Sequence, residues 1–160
     1  MVTLTGPRQS GKTTLVRAAF PSHRHLSLEL IDQRRFAQED PRGFLTQLDG
    51  PVILDEIQHV PDLLSYIQAA VDQDPTPGRF VLTGSQNFLL MAKAGQTLAG
   101  RCGILNLLPF SRAELEDQPQ PEPSVPPELF GNPHTGLGLW ATLHTGFYPR
   151  IHDQGIPPAV

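Results

Sequence analysis

The chain has 160 residues, a length that suits one domain able to bury a real core. No apolar run approaches the roughly 20 residues of a membrane span, and the N-terminus shows no signal-peptide pattern. Net charge is −4 and unevenly placed: residues 1–113 hold eleven Lys and Arg against ten acids, whereas 114–160 hold one Arg and six acids. No dense basic stripe argues for nucleic acid, and Arg34, Arg35 and Arg42 read most simply as a solvated helix face. The single cysteine, Cys102, excludes an internal disulfide and a cysteine-based metal site. It reads as a small core-filling residue in a reducing, cytoplasmic setting.

In chain order, Val2 to Leu4 is a short buried strand. Gly6-Pro-Arg-Gln-Ser-Gly-Lys-Thr13 then matches G-x-x-x-x-G-K-[ST] in full, and Thr14 to Phe20 continues as a helix that Pro21 stops. Leu26, Leu28 and Leu30 alternate with Ser27 and Glu29 at strand period. Phe36, Phe44, Leu45 and Leu48 suit a helix over about 35–48, broken before Pro41. After the turn Asp49-Gly50-Pro51, Val52 to Leu54 is an unbroken apolar run, the mark of a strand covered on both faces. Leu63, Leu64, Ile67 and Val71 recur at helical spacing behind Pro61-Asp62. Phe80 to Leu82 is another buried strand, Asn87 to Leu98 a helix, and Ile104 to Leu108 a fifth strand. Ser111-Arg-Ala-Glu114 fits a capping box.

Strands alternating with helices give an α/β class with a mostly parallel sheet. The domain is expected over 1–116. Residues 117–133, with Pro119, Pro121, Pro123, Pro126 and Pro127, read as a linker or solvated loop, and 134–160 as a short remnant with Trp140 as a packing residue.

Strand, Gly-rich loop and helix in that order form a phosphate-binding loop. Gly6 and Gly11 let the backbone curl round an anion, and the helix N-terminus turns free N–H groups toward it. Gly6, Pro7, Arg8, Gln9, Ser10, Gly11, Lys12, Thr13 and Thr14 are therefore the expected nucleotide-binding residues. Lys12 would reach the β- and γ-phosphates, and the Thr13 hydroxyl would ligate Mg²⁺, a cation that takes oxygen donors.

Val52-Ile-Leu-Asp55-Glu56 ends a buried strand in two acids about forty residues downstream, a spacing normal for the Walker B segment of additional-strand P-loop proteins. Asp55 would serve the metal or its water, and Glu56 would orient and deprotonate the attacking water. In that class a polar residue ending the next central strand lies between the two segments. Ser85, then Thr83, then Asn87 are the candidates, with a helix N-cap as an alternative role for Ser85. The six histidines read as surface or local structural residues.

Together these segments resemble the AAA-type ATPase domain of the AAA_14 family, which in bacterial and archaeal proteins carries a DUF4143 region after it. The matching pieces are Thr5 to Leu15, Leu28-Glu-Leu-Ile-Asp32, Asp40-Pro-Arg-Gly-Phe44, Gly50 to Gln58, Pro61-Asp-Leu-Leu64, Gly78 to Gln86, Leu98-Ala-Gly-Arg-Cys102 and Leu107-Leu-Pro-Phe-Ser111. The resemblance implies a three-layer α/β/α P-loop NTPase fold of AAA+-like type and ATP with Mg²⁺ as ligands. It also places Arg101 in the family's Gly-Arg segment, as a γ-phosphate sensor or a trans-acting arginine finger, with a surface or ion-paired arginine as the alternative reading. Gln58, just after the two acids, reads as a residue that helps couple the site to its surroundings. Gly146-Phe-Tyr-Pro-Arg150 resembles the turn that opens the family's next region, so the chain is expected to be a C-terminally shortened member. The partner is expected to be a second copy or another protein. A nucleotide-binding module that does not hydrolyse, and a small-molecule P-loop kinase, are the alternative readings.

Overall fold

A computed structural model describes residues 1–85, 100–117 and 138–155 of the chain. The expected helix 87–98, with Asn87, and most of the proline-rich segment lie outside the described residues. The chain forms two compact units, Met1–Leu108 and Pro109–Val160.

The first unit is a five-stranded, all-parallel sheet: β1 (Val2–Gly6), β2 (Arg24–Ser27), β3 (Val52–Asp55), β4 (Phe80–Ser85) and β5 (Gly103–Asn106). The spatial order is β2-β3-β4-β1-β5, so β4 lies between the strand that precedes the Gly-rich loop and the strand that ends in Asp55. In register, Gly6 lies beside Ser85 and Leu54 beside Leu82, which brings the carboxyl ends of β1, β3 and β4 to one edge.

Alternate residues of the central strands face opposite layers. Ile53 and Val81 pack with Leu4 and with Val16 of α1 (Lys12–Ala19). Val52, Leu54, Phe80 and Leu82 pack on the other face against Phe44, Leu63, Leu64 and Ile67. These last residues come from α3 (Pro41–Thr46) and α4 (Leu63–Gln73). Helices on both faces make three layers, which is why β3 and β4 read as unbroken apolar runs. Each fully buried Leu, Ile or Phe contributes about 1.5–3 kcal/mol to holding these layers together.

α2 (Ile31–Glu39) and α3 are separate helices broken at Asp40. Pro41 has no N–H and disfavours helical geometry in the residue before it. Asp40 sits accordingly at φ −137°, ψ 78°, and its Oδ1 accepts from the Gly43 N–H at 2.9 Å to cap α3.

The expected strand through Leu30 is corrected: β2 stops at Ser27 and a turn follows. The Leu28 N–H still donates to Asp55 O at 3.0 Å and Leu28 is fully buried, but Leu30 is exposed. The alternation at Leu28 and Leu30 therefore reflects one anchored turn residue and one exposed one, not two core-facing strand positions.

In the second unit, α5 (Arg112–Leu115) begins with the expected capping box. Glu114 N–H donates to Ser111 Oγ at 3.2 Å and Ser111 N–H to Glu114 Oε2 at 2.6 Å. α6 (Leu139–Thr145) and α7 (Pro149–Asp153) follow. Trp140, expected to pack, is 81% exposed. Its helix buries Thr142 instead. No helix among the described residues is long and apolar enough to cross a membrane.

Candidate nucleotide site at the carboxyl edge of the sheet

Gly6 closes β1 and starts the loop at φ 154°. A Cβ there would stand 2.1 Å from Leu107 O, so only glycine fits between the loop and the chain leaving β5. Gln9 (φ 65°) and Gly11 (φ 90°) supply two further left-handed turns. Gly11 is the N-cap of α1 and no side chain caps the helix, so the first-turn N–H groups have no side-chain acceptor at the cap. Pro7 is half-buried, Arg8, Gln9 and Thr14 are exposed, and Ser10 and Lys12 are buried. Within the loop Lys12 Nζ donates to Gly6 O at 3.2 Å and Pro7 O at 2.8 Å, which holds a buried ammonium at the loop's centre.

Asp55 is the meeting point of four elements. Its Oδ2 accepts from Thr13 Oγ1 of α1 at 2.9 Å, and its Oδ1 accepts from Thr83 Oγ1 of β4. His25 of β2 lies with Nε2 3.3 Å from Oδ2, and a carboxylate only accepts, so the imidazole donates there. The carboxylate is almost fully buried at the end of β3, and these three donors satisfy it.

Glu56 follows at φ 59°, ψ 48°, a left-handed conformation rare outside glycine. Its N–H donates to Thr83 Oγ1 at 3.1 Å. The Thr83 hydroxyl thus gives its proton to Asp55 and accepts the Glu56 N–H, tying both acids to β4. The Glu56 carboxylate accepts from Gln58 Nε2, and Gln58 Oε1 accepts from the Ser85 N–H at 3.3 Å.

The loop, Thr13, Asp55 and Glu56 therefore converge on one edge. The hydroxyl bonded to both the Asp55 carboxylate and the Glu56 N–H belongs to Thr83. Thr83 and Ser85 are two residues apart on one face of β4, and register puts Thr83 level with the end of β3. Ser85 contributes its backbone N–H. Arg101 does not join the group. It precedes β5, at the strand-start edge of the sheet, where its carbonyl accepts from the Met1 ammonium at 3.3 Å. Its guanidinium donates to Asp72 at 2.5 Å, and that pairing raises its pKa. Parallel strands put Arg101 at the far end of the sheet from Gly6. His25 was missed because nothing in the sequence pairs β2 with β3; only register brings its ring to Asp55.

The donor set suits a nucleotide with a hard cation. The Ser10 hydroxyl is buried inside the loop with no hydrogen-bond partner, an orphan that a phosphate oxygen would satisfy. Thr13 donates its proton to Asp55 and so keeps its oxygen lone pairs for a cation, and hydroxyl and carboxylate oxygens are the ligands Mg²⁺ takes. Among the described residues no cluster of three or more His, Cys, Asp and Glu offers a different metal site.

The chain is 38% identical over 110 residues to uncharacterized protein Rv2008c of Mycobacterium tuberculosis and to uncharacterized protein Mb2031c of Mycobacterium bovis. Each match covers 67% of this chain and 24% of the relative, so the chain matches about a quarter of those proteins' length. The family model for the AAA_14 AAA domain matches residues 1–116, which include every residue of the loop, β3 and β4, and the chain belongs to that family.

Proposed function

We propose that this domain binds ATP with Mg²⁺ and hydrolyses the β–γ phosphoanhydride. The observation that carries the reading is the 2.9 Å bond between Thr13 and Asp55, which joins the loop hydroxyl to the strand-end acid across 42 residues. In this reading residues 6–14 wrap the phosphates, with Lys12 turning its ammonium from the Gly6 and Pro7 carbonyls toward them. Thr13 and Asp55 would hold Mg²⁺, which would supply charge neutralisation to the phosphates. Glu56 accepts a proton from the water as its oxygen bonds to the γ-phosphorus. The bond to the β-phosphate oxygen breaks, and ADP and inorganic phosphate leave. Thr83 keeps Asp55 and Glu56 in fixed relation, so positioning, not covalent chemistry, supplies the acceleration.

If Arg101 meets a γ-phosphate it does so in a second copy, after leaving Asp72. A second copy or another protein is thus the proposed partner, and a DUF4143 region in the unmatched part of the longer relatives is a proposed target of the coupling. ATP supply and the single thiol fit a cytoplasmic setting.

A nucleotide-binding module without turnover is the second reading, favoured by the engagement of the Glu56 carboxylate with Gln58. The test compares Mg²⁺-dependent phosphate release and ATP affinity in the wild-type chain and in Glu56→Gln. Hydrolysis predicts turnover that is lost in the variant while ATP still binds. Binding without turnover in both selects the second reading. Absence of ATP binding in both rejects the two together.

A further inference from the structure

We propose that Gln58 is a positioning residue that aims the Glu56 carboxylate and couples it to the end of β4. This inference rests on the hydrolytic reading above. Gln58 lies in a 3₁₀ turn, Ile57–His59, whose flanks Ile57 and Val60 are buried in the core. The turn is closed by His59 N–H to Glu56 O at 3.1 Å and Val60 N–H to Ile57 O at 3.0 Å. The side chain therefore springs from a fixed base.

Its amide can point only one way. A carboxylate accepts and a backbone N–H donates, so the NH₂ must face Glu56 and the carbonyl must face Ser85. Both ends of the amide are then used by groups of opposite character, a fit that neither Glu nor Leu reproduces. A contact between residues 56 and 58 alone could be incidental to a tight turn. The second bond, to Ser85 27 residues away, is not.

The result is a double hold on Glu56. Thr83 fixes its peptide and Gln58 fixes its carboxylate, and both restraints lead to β4. Among the described residues only Oε2 of Glu56 is engaged, which leaves Oε1 to accept from water. A glutamate has three side-chain torsions, and a displacement of about 1 Å can lower a rate by about 10²-fold. Any movement of the β4 tip shifts the Ser85 N–H, and Gln58 passes that shift to the carboxylate.

Two measurements test this. Side-chain amide NMR of the wild-type chain is expected to show a Gln58 NH₂ signal that exchanges slowly with water and moves in Glu56→Ala. Steady-state kinetics of Gln58→Leu and Gln58→Asn, the latter too short to span both partners, are expected to show kcat lowered about 10–100-fold. ATP affinity and thermal midpoint should stay close to wild type in both. A Gln58 amide indifferent to Glu56→Ala overturns the proposal whatever the turnover. A kcat unchanged in Gln58→Leu, or lowered only in step with ATP affinity and stability, also overturns it. A kcat that rises makes Gln58 a restraint and overturns the positioning role. A wild-type chain without turnover overturns the hydrolytic reading, and the positioning role with it.

Discussion

Replacing Thr83 with valine isolates the hydroxyl that joins the two acids. The substitution keeps the branched shape on a fully buried strand, so packing changes little. What is lost is one of three donors to the Asp55 carboxylate and the acceptor of the Glu56 N–H. Stripping a partner from a buried polar group costs about 1–3 kcal/mol, and more where the group is charged. Asp55 keeps Thr13 and His25, which limits its share, and Glu56 is half-buried, so water can reach part of its peptide. A total of about 2–4 kcal/mol follows. That is a large part of the roughly 5–15 kcal/mol that holds a domain folded. With a urea slope of about 2 kcal/mol/M, the denaturation midpoint should fall by about 1–2 M. Thr83→Ser retains both bonds and loses one methyl, about 1 kcal/mol. The assay is paired urea denaturation of the two variants and wild type without nucleotide. A loss in Thr83→Val no larger than in Thr83→Ser would refute the bridging role.

Three further predictions concern the loop and the second unit. Lys12→Met should weaken ATP binding at least about tenfold, since a charge-assisted phosphate contact is worth about 1.5–3 kcal/mol; titration calorimetry showing wild-type affinity would remove Lys12 from the site. Gly6→Ala drives a Cβ to 2.1 Å from Leu107 O and should destabilise the fold by about 2–5 kcal/mol. An unchanged thermal midpoint would contradict that close approach. Hydrogen bonds from the Ser111 N–H, then from its hydroxyl, hold the Glu114 carboxyl below its ordinary value of 4.5. Because the folded value is the lower one, the stabilisation is whole above the ordinary value and disappears as pH falls through the lowered one. Amide NMR of Ser111 and Glu114 should show the α5 cap loosening in that acid window, and Glu114→Gln should flatten the response.

The parts of the site that lie within one continuous segment were legible in the sequence. Gly6 to Thr13 carries its own geometry, because φ values of 154° and 90° and an uncapped helix start are properties of the local chain. Asp55 and Glu56 were visible because a strand covered on both faces leaves an apolar run, and two acids at its end stand out. Relations between strands were not legible. His25 reaches Asp55 through the β2–β3 register, and Thr83 reaches it through the β3–β4 register. Arg101 stands beside its motif in the sequence, and only the parallel direction of β5 shows that it lies at the edge opposite the loop. Trp140 was misread because helical spacing shows which residues share a face but not whether anything covers that face.

The all-parallel sheet also governs how the chain can acquire its site. Among the described residues no two neighbouring strands are joined by a hairpin, and the bonds at Asp55 span 28, 30 and 42 residues. Loop closure over such distances delays pairing, so these contacts belong to the slow, late part of folding. No fragment shorter than Gly6 to Ser85 contains the loop, both acids and the end of β4. A ligand that needs them all binds only the native chain, and it then stabilises the sheet by an amount that grows with the logarithm of its concentration over Kd. Folded fraction and site occupancy would rise and fall together, with ligand concentration acting as a thermostat on the fold.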